Sequence, residues 1–138
     1  GVAPGLAIAA WVKGGPHVLG DGETVCVVEF WATWCGYCVQ SIPHLTAIQD
    51  VYGDAGVIVI GISSESVDVV EGFVEGQGES MGYSVAVDDG HATARAYRVR
   101  SYPHVFVVDA AGVIAWEGHP MNPDLEEVLA ELTSNQRE

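Results

Sequence analysis

The chain has 138 residues, 49% of them apolar, and its 19 acidic residues against five Lys and Arg give a formal net charge of −14. This length is enough to bury a hydrophobic core, so we expect a single domain over residues 1–138. A surface of this sign repels phosphate backbones, which argues against nucleic-acid binding. We interpret it as a solvated acidic surface, with recognition of a basic partner as the alternative.

The most apolar stretch near the start is VAPGLAIAAWV, residues 2–12, which contains Pro4 and Gly5. It is too short to cross a bilayer as a helix. No charged segment followed by an apolar one precedes it. We therefore expect that any signal peptide or membrane anchor has been removed or was never present.

Five segments have the β-branched and apolar character of β-strands. In chain order they are residues 24–31, 57–62, 83–88, 104–109 and 113–117. The first, second and fourth are nearly unbroken apolar runs, as expected of strands that are covered on both faces. The last follows the sequence DAAG, whose Gly112 suits the left-handed residue of a tight hairpin.

Three segments repeat apolar residues at three- or four-residue steps and are predicted as helices. They are residues 36–50, residues 66–76 and the stretch that follows Asn122. In the last, Asn122 is expected to cap the helix and Pro123 to occupy its first position. The alternation of strands and helices predicts an α/β fold, with a mainly parallel or mixed sheet and helices on both faces.

Cys35 and Cys38 form a C-x-x-C motif where the first predicted strand gives way to a helix. A thiol at a helix N-terminus faces unpaired backbone N–H groups and the positive end of the dipole, and both favour the thiolate. Cys38 lies one turn further on and is expected to be less exposed. Thiol–disulfide exchange needs this arrangement, because Cys35 attacks a substrate disulfide and Cys38 then resolves the mixed disulfide.

The cysteines could also bind structural zinc or form a purely structural disulfide. Structural zinc needs four ligands, but there is no second C-x-x-C and the histidines lack the usual H-x3–5-H spacing. A purely structural disulfide would close a very short loop and constrain the unfolded chain little. The third cysteine, Cys26, lies inside a strand-like run and is expected to be a small core residue, with a redox role as the alternative.

Glu29 interrupts the strand-like run VCVVEFW, which should be buried on both faces. Burial of an unpaired carboxylate is costly and raises its pKa. Lying six residues before Cys35, Glu29 could sit beneath the pair and accept the proton of Cys38 as that thiol attacks. The alternative is that Glu29 faces solvent at a strand end or pairs with an arginine.

Pro103 opens the fourth predicted strand, where its missing N–H is tolerated. From the residues alone, a trans proline is the simpler expectation. A cis Tyr102–Pro103 bond would present the backbone of Tyr102 to an extended peptide. His104 follows, and it could either stabilise a nearby thiolate or be an inert strand residue.

Together these residues resemble the thioredoxin superfamily. The W-C-x-x-C motif at residues 34–38 follows a strand, Glu29 takes the place of that family's buried acid, and Pro103 that of its cis-proline. The resemblance implies a thioredoxin fold, in which helices flank a central mixed β-sheet, and a cis Tyr102–Pro103 bond. Trp34 and Tyr37 would form an apolar rim against which a substrate peptide packs.

Within the superfamily the chain is similar to the TlpA- and ResA-like extracytoplasmic thiol–disulfide oxidoreductases. The similarity lies in the A-P-x-L of residues 3–6, FWATWC, the proline of SIPHL, and VIVIGIS. It implies an N-terminal extension and a helix–strand pair, in residues 66–88, inserted between the C-x-x-C helix and the cis-proline strand. Many members carry a glutamate where this chain has Ser41, so the pH tuning that this acid gives its relatives is not expected here.

We therefore expect a thiol:disulfide oxidoreductase of the reductase or isomerase type that acts on protein substrates. Its catalytic residues would be Cys35, Cys38 and Glu29, and its substrate contacts Trp34, Tyr37, Tyr102 and Pro103. No metal is expected, nor any cofactor beyond the redox-active disulfide, and an upstream thiol would supply electrons. The resemblance implies an extracytoplasmic location in a bacterium, either periplasmic or tethered to the membrane and facing outward.

Two other functions remain open at this point. Redoxin-like chains include thiol peroxidases, which place a threonine and a proline ahead of the peroxide-reactive cysteine. Here Thr33 precedes Cys35, but no proline lies between Val25 and Cys35. A copper-binding chaperone would use the two cysteines and a histidine as soft ligands, but its relatives favour C-x-x-x-C.

Overall fold

The computed structural model describes residues 1–134, which form a six-stranded sheet with four α-helices. The strands are β1 Ile8–Lys13, β2 Val25–Trp31, β3 Val57–Ser63, β4 Ser84–Asp88, β5 His104–Val108 and β6 Ile114–Gly118. The helices are α1 Gly36–Tyr52, α2 Val67–Gln77, α3 Ala92–Ala96 and α4 Asp124–Thr133. None of the helices in this part of the chain is long and apolar enough to cross a membrane.

The strand order is β1-β4-β3-β2-β5-β6, which places β2 inside the sheet. β2, β3 and β4 run parallel, whereas β1, β5 and β6 pair antiparallel with their neighbours. The helices α1 and α2 connect the parallel strands, because such strands need a crossover. Since α1 follows β2, the C-x-x-C motif lies between the end of an interior strand and the N-terminus of a helix.

Successive side chains of β2 enter two hydrophobic cores, one on each face of the sheet. Val27 and Trp31 lie in the core formed with α1, α2 and α4, whereas Val28 and Phe30 lie in the core formed with α3 and the N-terminal segment. Glu29 has the parity of Val27 and Trp31. Its carboxyl is therefore on the α1 side of the sheet.

The five predicted strands and three predicted helices are present, with ends that differ by at most two residues. The sheet is mixed, as predicted, but the helices cover its faces unevenly, since only α3 among the described helices packs opposite α1. Gly112 has a φ of +86° at the β5–β6 hairpin, as predicted. Helix α4 begins at Asp124, one residue later than predicted, and the Asn122 side chain caps it by accepting the Asp124 N–H at 2.9 Å.

The sequence patterns do not predict β1 or α3. β1 is an edge strand whose register against β4 shifts twice, which interrupts the alternation that would identify a strand. α3 has five residues and depends on Asp88, whose carboxylate accepts the N–H groups of Thr93 and Ala94 at 2.9 and 3.0 Å. α2 and β4 occupy the segment expected to hold the inserted helix and strand. That they are an insertion relative to shorter thioredoxins stays a prediction.

Candidate active site

The two cysteines lie at the N-terminus of α1 and are joined in a disulfide, with their Cα atoms 5.2 Å apart. Cys35 is the N-cap residue, with extended backbone dihedrals of φ −86° and ψ 109°. Its Sγ accepts a hydrogen bond from the Cys38 N–H at 3.2 Å. The sulfur of Cys35 therefore occupies the position at which a helix stabilises an anion.

The two sulfur-bearing residues differ in exposure. Cys35 is 7% exposed, whereas Cys38 is 1% exposed and lies in the core beneath α1. A sulfur atom of another molecule can therefore approach Cys35 more easily than Cys38. An attacking and resolving pair requires this asymmetry.

Glu29 is buried on the α1 side of the sheet, with 1% of its surface exposed. Burial raises the pKa of its carboxyl to about 8, and the hydrogen bond from Ser41 opposes part of this shift. Glu29 forms no ion pair with any residue among the described 134. The two alternatives, a solvent-facing Glu29 and an arginine-paired one, are therefore wrong. A buried carboxyl with this pKa can exchange a proton close to neutral pH.

Ser41 connects this carboxyl to the second cysteine. Its side chain is fully buried, and its hydroxyl donates to the Cys38 carbonyl oxygen at 2.8 Å while lying 3.4 Å from Glu29 Oε2. A hydroxyl carries a single proton to donate. An ionised Glu29 therefore competes with the backbone of Cys38 for the same donor.

Gly61 opens space beside Glu29 for two aromatic rings. It is the register partner of Glu29 in β3, and a Cβ there would lie 3.0 Å from Trp31 Nε1 and 3.4 Å from Tyr83 Cε1. Trp31 Nε1 and the Tyr83 hydroxyl are buried and have no hydrogen-bond partner within residues 1–134. The pKa of Tyr83 is raised, chiefly by burial and further by the charge of Glu29. Both rings belong to the core on the α1 side of the sheet, the side on which Glu29 is buried.

A second carboxylate, Glu65, fixes the segment that precedes Cys35. It accepts the backbone N–H and the hydroxyl of Thr33 at 2.8 and 2.7 Å, and the hydroxyl of Ser63 at 2.7 Å. Thr33 follows β2 and Glu65 follows β3, so the contact joins the carboxyl ends of two parallel neighbours. It holds the turn that leads into the disulfide.

The Tyr102–Pro103 bond is cis, as the resemblance implies, and directly precedes β5. The rings of Trp34 and Tyr102 lie 6.0 Å apart between centroids. Trp34 and Tyr37 are 74% and 69% exposed, which is unusual for side chains of this size. A groove of about 350 Å³, here named the Trp34–Tyr102 groove, is lined by Trp34, Val99, Arg100, Ser101 and Tyr102.

His104 and Cys26 belong to the opposite face of the sheet from the disulfide. His104 stacks on Phe106 with ring centroids 4.4 Å apart, and its Nε2 lies 3.2 Å from Glu117 Oε1. Phe106 is part of the second core, so the suggestion that His104 stabilises a thiolate is wrong. Cys26 is free and buried in the same core, as predicted, and burial together with nearby Asp21 raises its pKa to about 11.

Side chains that commonly bind metal ions are not grouped together in this part of the chain. Within residues 1–134, no group of three or more His, Cys, Asp and Glu side chains is arranged to hold a metal ion.

The sequence analysis does not identify Gly61 and Glu65, and it names Ser41 only as a departure from the resembling family, without its contact to Glu29. Ser41 follows Cys38 by three residues, a spacing that places both on one side of a helix. This spacing indicates that Ser41 lies close to the second cysteine. Gly61 stands inside an apolar strand, where a glycine often marks a close approach. Glu65 has no local signal, because its contact with Thr33 depends on the pairing of β2 with β3.

Comparison with known proteins relates this site to others. The model of the AhpC/TSA family matches residues 11–117. The thiol-disulfide oxidoreductase ResA of Bacillus thuringiensis subsp. konkukian is 29% identical over 109 residues, which are 77% of this chain and 62% of that protein. The chain thus spans less than two thirds of the length of the curated relatives it matches.

Solved structures share the fold. A thiol-disulfide isomerase from Corynebacterium glutamicum is 27% identical, with a TM-score of 0.78 over 96% of this chain and 97% of that one. The thioredoxin-like superfamily protein SPOA0173 has a TM-score of 0.80 at 24% identity, covering 99% of this chain and 97% of that one. The predicted thioredoxin fold is confirmed.

Proposed function

Because the chain belongs to the AhpC/TSA family, we propose that it is a thiol-disulfide oxidoreductase that exchanges disulfides with protein substrates. The observation that carries the proposal is the Cys35–Cys38 disulfide at the N-terminus of α1, with the buried Glu29 connected to the backbone of Cys38 through Ser41. Similarity to ResA supports the same class of reaction. Reduction or isomerisation of a client disulfide is the direction that the resemblance to the ResA-like group implies, and it belongs to this proposal.

The exchange has two steps that balance in electrons and protons. The Cys35 thiolate attacks one sulfur of the client disulfide, the client S–S bond breaks, and the other client sulfur leaves as a thiolate and takes up a proton. Cys38 then loses its proton and attacks Cys35 Sγ, which releases the second client sulfur as the Cys35–Cys38 disulfide forms. Two electrons pass to the client, and its two thiolates take up protons from the solvent. The proton of Cys38 stays in the protein, and an upstream thiol donor restores the reduced protein.

Glu29 is the proton acceptor for Cys38 in this scheme. With a pKa of about 8 in the disulfide form, its carboxyl is mostly protonated at neutral pH, which is the state left after it has taken that proton. When the upstream donor reduces the disulfide, Glu29 returns the proton to Cys38. Ser41 assists because its hydroxyl lies within 3.4 Å of the carboxyl and contacts the backbone of Cys38.

The client binds as an extended segment beside Tyr102 and Pro103 in this proposal. Tyr102 and Pro103 directly precede β5, and the exposed Trp34 and Tyr37 supply apolar surface around the mixed disulfide. Exposed aromatic rings at an active site favour a peptide over a small polar substrate, because contact with the peptide removes their surface from water.

Several further expectations belong to this proposal. The chain acts as a single domain over residues 1–138 and needs no cofactor beyond its disulfide. Its partners are protein thiols and disulfides and an upstream thiol donor. Its location is extracytoplasmic in a bacterium, which the A-P-x-L and FWATWC segments support through their likeness to the ResA-like group.

The proposal is tested by reduction of insulin disulfides with dithiothreitol as the electron source. The wild-type protein should accelerate reduction well beyond dithiothreitol alone, and Cys35→Ser should abolish the acceleration. Absence of acceleration by the wild type would contradict the proposal. Peroxide consumption that survives Cys38→Ser would favour a thiol peroxidase instead, and stoichiometric retention of Cu(I) after dialysis would favour a copper chaperone.

A further inference from the structure

The positive charges of this acidic chain are concentrated near the proposed substrate groove. Of the five Lys and Arg residues, Arg95, Arg98 and Arg100 fall within six positions, and Arg137 lies outside the described residues. Lys13 is distant from them in sequence, and its Nζ donates to the Met81 carbonyl oxygen at 2.6 Å. Three of the four Lys and Arg residues in the described chain therefore lie between the start of α3 and the cis proline.

These three arginines are exposed, and none forms an ion pair with a carboxylate within residues 1–134. With 19 acidic residues in the chain, an arginine on a merely solvated face would have many potential partners. Their guanidinium groups remain free to bind carboxylates of another molecule.

Arg100 is placed where a client would pass. It lines the Trp34–Tyr102 groove and is the one charged side chain among the five lining residues. It precedes the cis Tyr102–Pro103 bond by two residues, and Trp34, on the other wall, directly precedes Cys35. A segment bound in this groove therefore meets aromatic surface and one unpaired cation, on a wall formed in part by the residue that precedes Cys35.

We infer that Arg100 makes this site select client segments that carry an acidic residue close to the disulfide. The inference rests on the proposed function and names its substrate class. A guanidinium pairs with a carboxylate through two parallel hydrogen bonds. Such a pair would select a negatively charged residue and would also set the position of the client segment along the groove.

An acidic client is subject to two opposing electrostatic forces, and the stronger one depends on how far the charges are from the client. The net charge of −14 repels an acidic client from afar, whereas Arg100 attracts its carboxylate at contact. At physiological ionic strength the Debye length is about 8 Å, so the distant acids are screened more than the contact pair. Selection is therefore expected in physiological salt and is weakened at low ionic strength.

The test uses three disulfide-linked peptides that differ only at two positions beside one cysteine. Both positions are Glu in the first peptide, Gln in the second and Lys in the third. Turnover by the wild-type protein at about 0.15 M ionic strength is divided by the rate with dithiothreitol alone, which removes the effect of the charges on the peptide's own reactivity. The expected kcat/KM for the Glu peptide is about fivefold that for the Gln peptide, as for one partly exposed ion pair. The Lys peptide should be the poorest.

Two variants separate a contact at Arg100 from a general charge effect. Arg100→Gln should reduce the preference for the Glu peptide to about one. Arg95→Gln makes the same change in net charge on α3, away from the lining of the groove, and should keep most of the preference. Equal losses in the two variants, equal turnover of the Glu and Gln peptides by the wild type, or a preference for Lys would overturn the inference. Failure to reduce any peptide would instead contradict the proposed function.

Discussion

The hydroxyl of Ser41 lies 3.4 Å from the buried carboxyl of Glu29 and donates to the backbone of Cys38 at 2.8 Å. The acid of the site is thus connected to the resolving cysteine through one residue of α1. Ser41 places a neutral donor, rather than a second acid, between Glu29 and the backbone of Cys38. The pH response of the site should accordingly depend on Glu29 and on how strongly Ser41 stabilises its ionised form.

Replacing Ser41 by Ala should raise the pKa of Glu29 further, because the hydroxyl is a donor to the carboxylate and opposes the effect of burial. The variant should also lose about 1–2 kcal/mol of stability, since a buried hydrogen bond to Cys38 disappears. Both effects can be measured on the oxidised protein, by NMR titration of the Glu29 carboxyl carbon and by denaturant unfolding.

Thr133→Ala provides the matched control for that experiment. Thr133 is a fully buried helical hydroxyl that donates to the Leu129 carbonyl oxygen at 2.7 Å, in α4 rather than α1. It should cost similar stability while leaving the titration of Glu29 unchanged. An unshifted Glu29 in Ser41→Ala would show that the serine is only structural.

Glu29→Gln should change how the stability of the oxidised protein depends on pH. The pKa of Glu29 is about 8 in the folded state against 4.5 as the ordinary value, so the native state holds a proton that the unfolded state releases between these values. The wild-type free energy of unfolding should therefore fall by roughly 4 kcal/mol between pH 5 and pH 8.5 through this group, and the variant should lack this decline.

The measurement is urea unfolding of both proteins at several pH values with the disulfide intact. The quantity compared is the slope of the unfolding free energy against pH, rather than its absolute value. The buried amide of glutamine can lower the stability of the variant by a constant amount, and this constant does not affect the slope. Parallel curves for the two proteins across this pH range would contradict a buried, neutral Glu29.

Glu65→Ala should loosen the turn before Cys35. The variant loses the acceptor of the Thr33 amide, the Thr33 hydroxyl and the Ser63 hydroxyl, so a loss of about 2–3 kcal/mol is expected. Amide exchange at Thr33 should be faster than in the wild type. Glu71→Ala, which removes an exposed carboxylate from α2, serves as the control and should leave that exchange unchanged.

Trp34→Ala should weaken peptide binding with little effect on the fold. The side chain is 74% exposed and contacts Tyr102, so its removal takes away surface from the proposed groove rather than from a core. We expect KM for a peptide disulfide to rise by about three- to tenfold, whereas stability stays within about 0.5 kcal/mol. Met121→Ala, another exposed apolar side chain, should leave KM as it is.

The sequence predicts those residues of the site that can be recognised from the pattern of a single short segment. An acid within an apolar run identifies Glu29, and the strand-to-helix junction identifies the position of Cys35, since both follow from the burial pattern of one segment. The cis state of Pro103 needs the family resemblance, because the residues alone favour trans. Ser41 has a helical spacing that points to it, but its contact with Glu29 depends on how α1 packs on the sheet.

Other features depend on contacts between distant segments, which composition and periodicity do not encode. Glu65 meets Thr33 only because β2 and β3 are paired. β1 escapes prediction because its pairing with β4 is irregular, although it closes one edge of the sheet. The position of Arg100 in a groove with Trp34 requires the cis-proline loop to fold against the C-x-x-C turn.

The most direct test of the whole account is to identify the cysteine that bonds to the client. Reduced Cys38→Ser protein is mixed with a disulfide peptide, and the covalent product is mapped by mass spectrometry. The account predicts a stable mixed disulfide at Cys35 that dithiothreitol releases, and no adduct at the buried Cys26. An adduct that accumulates at Cys38 in the Cys35→Ser protein, with none at Cys35 in Cys38→Ser, would contradict it.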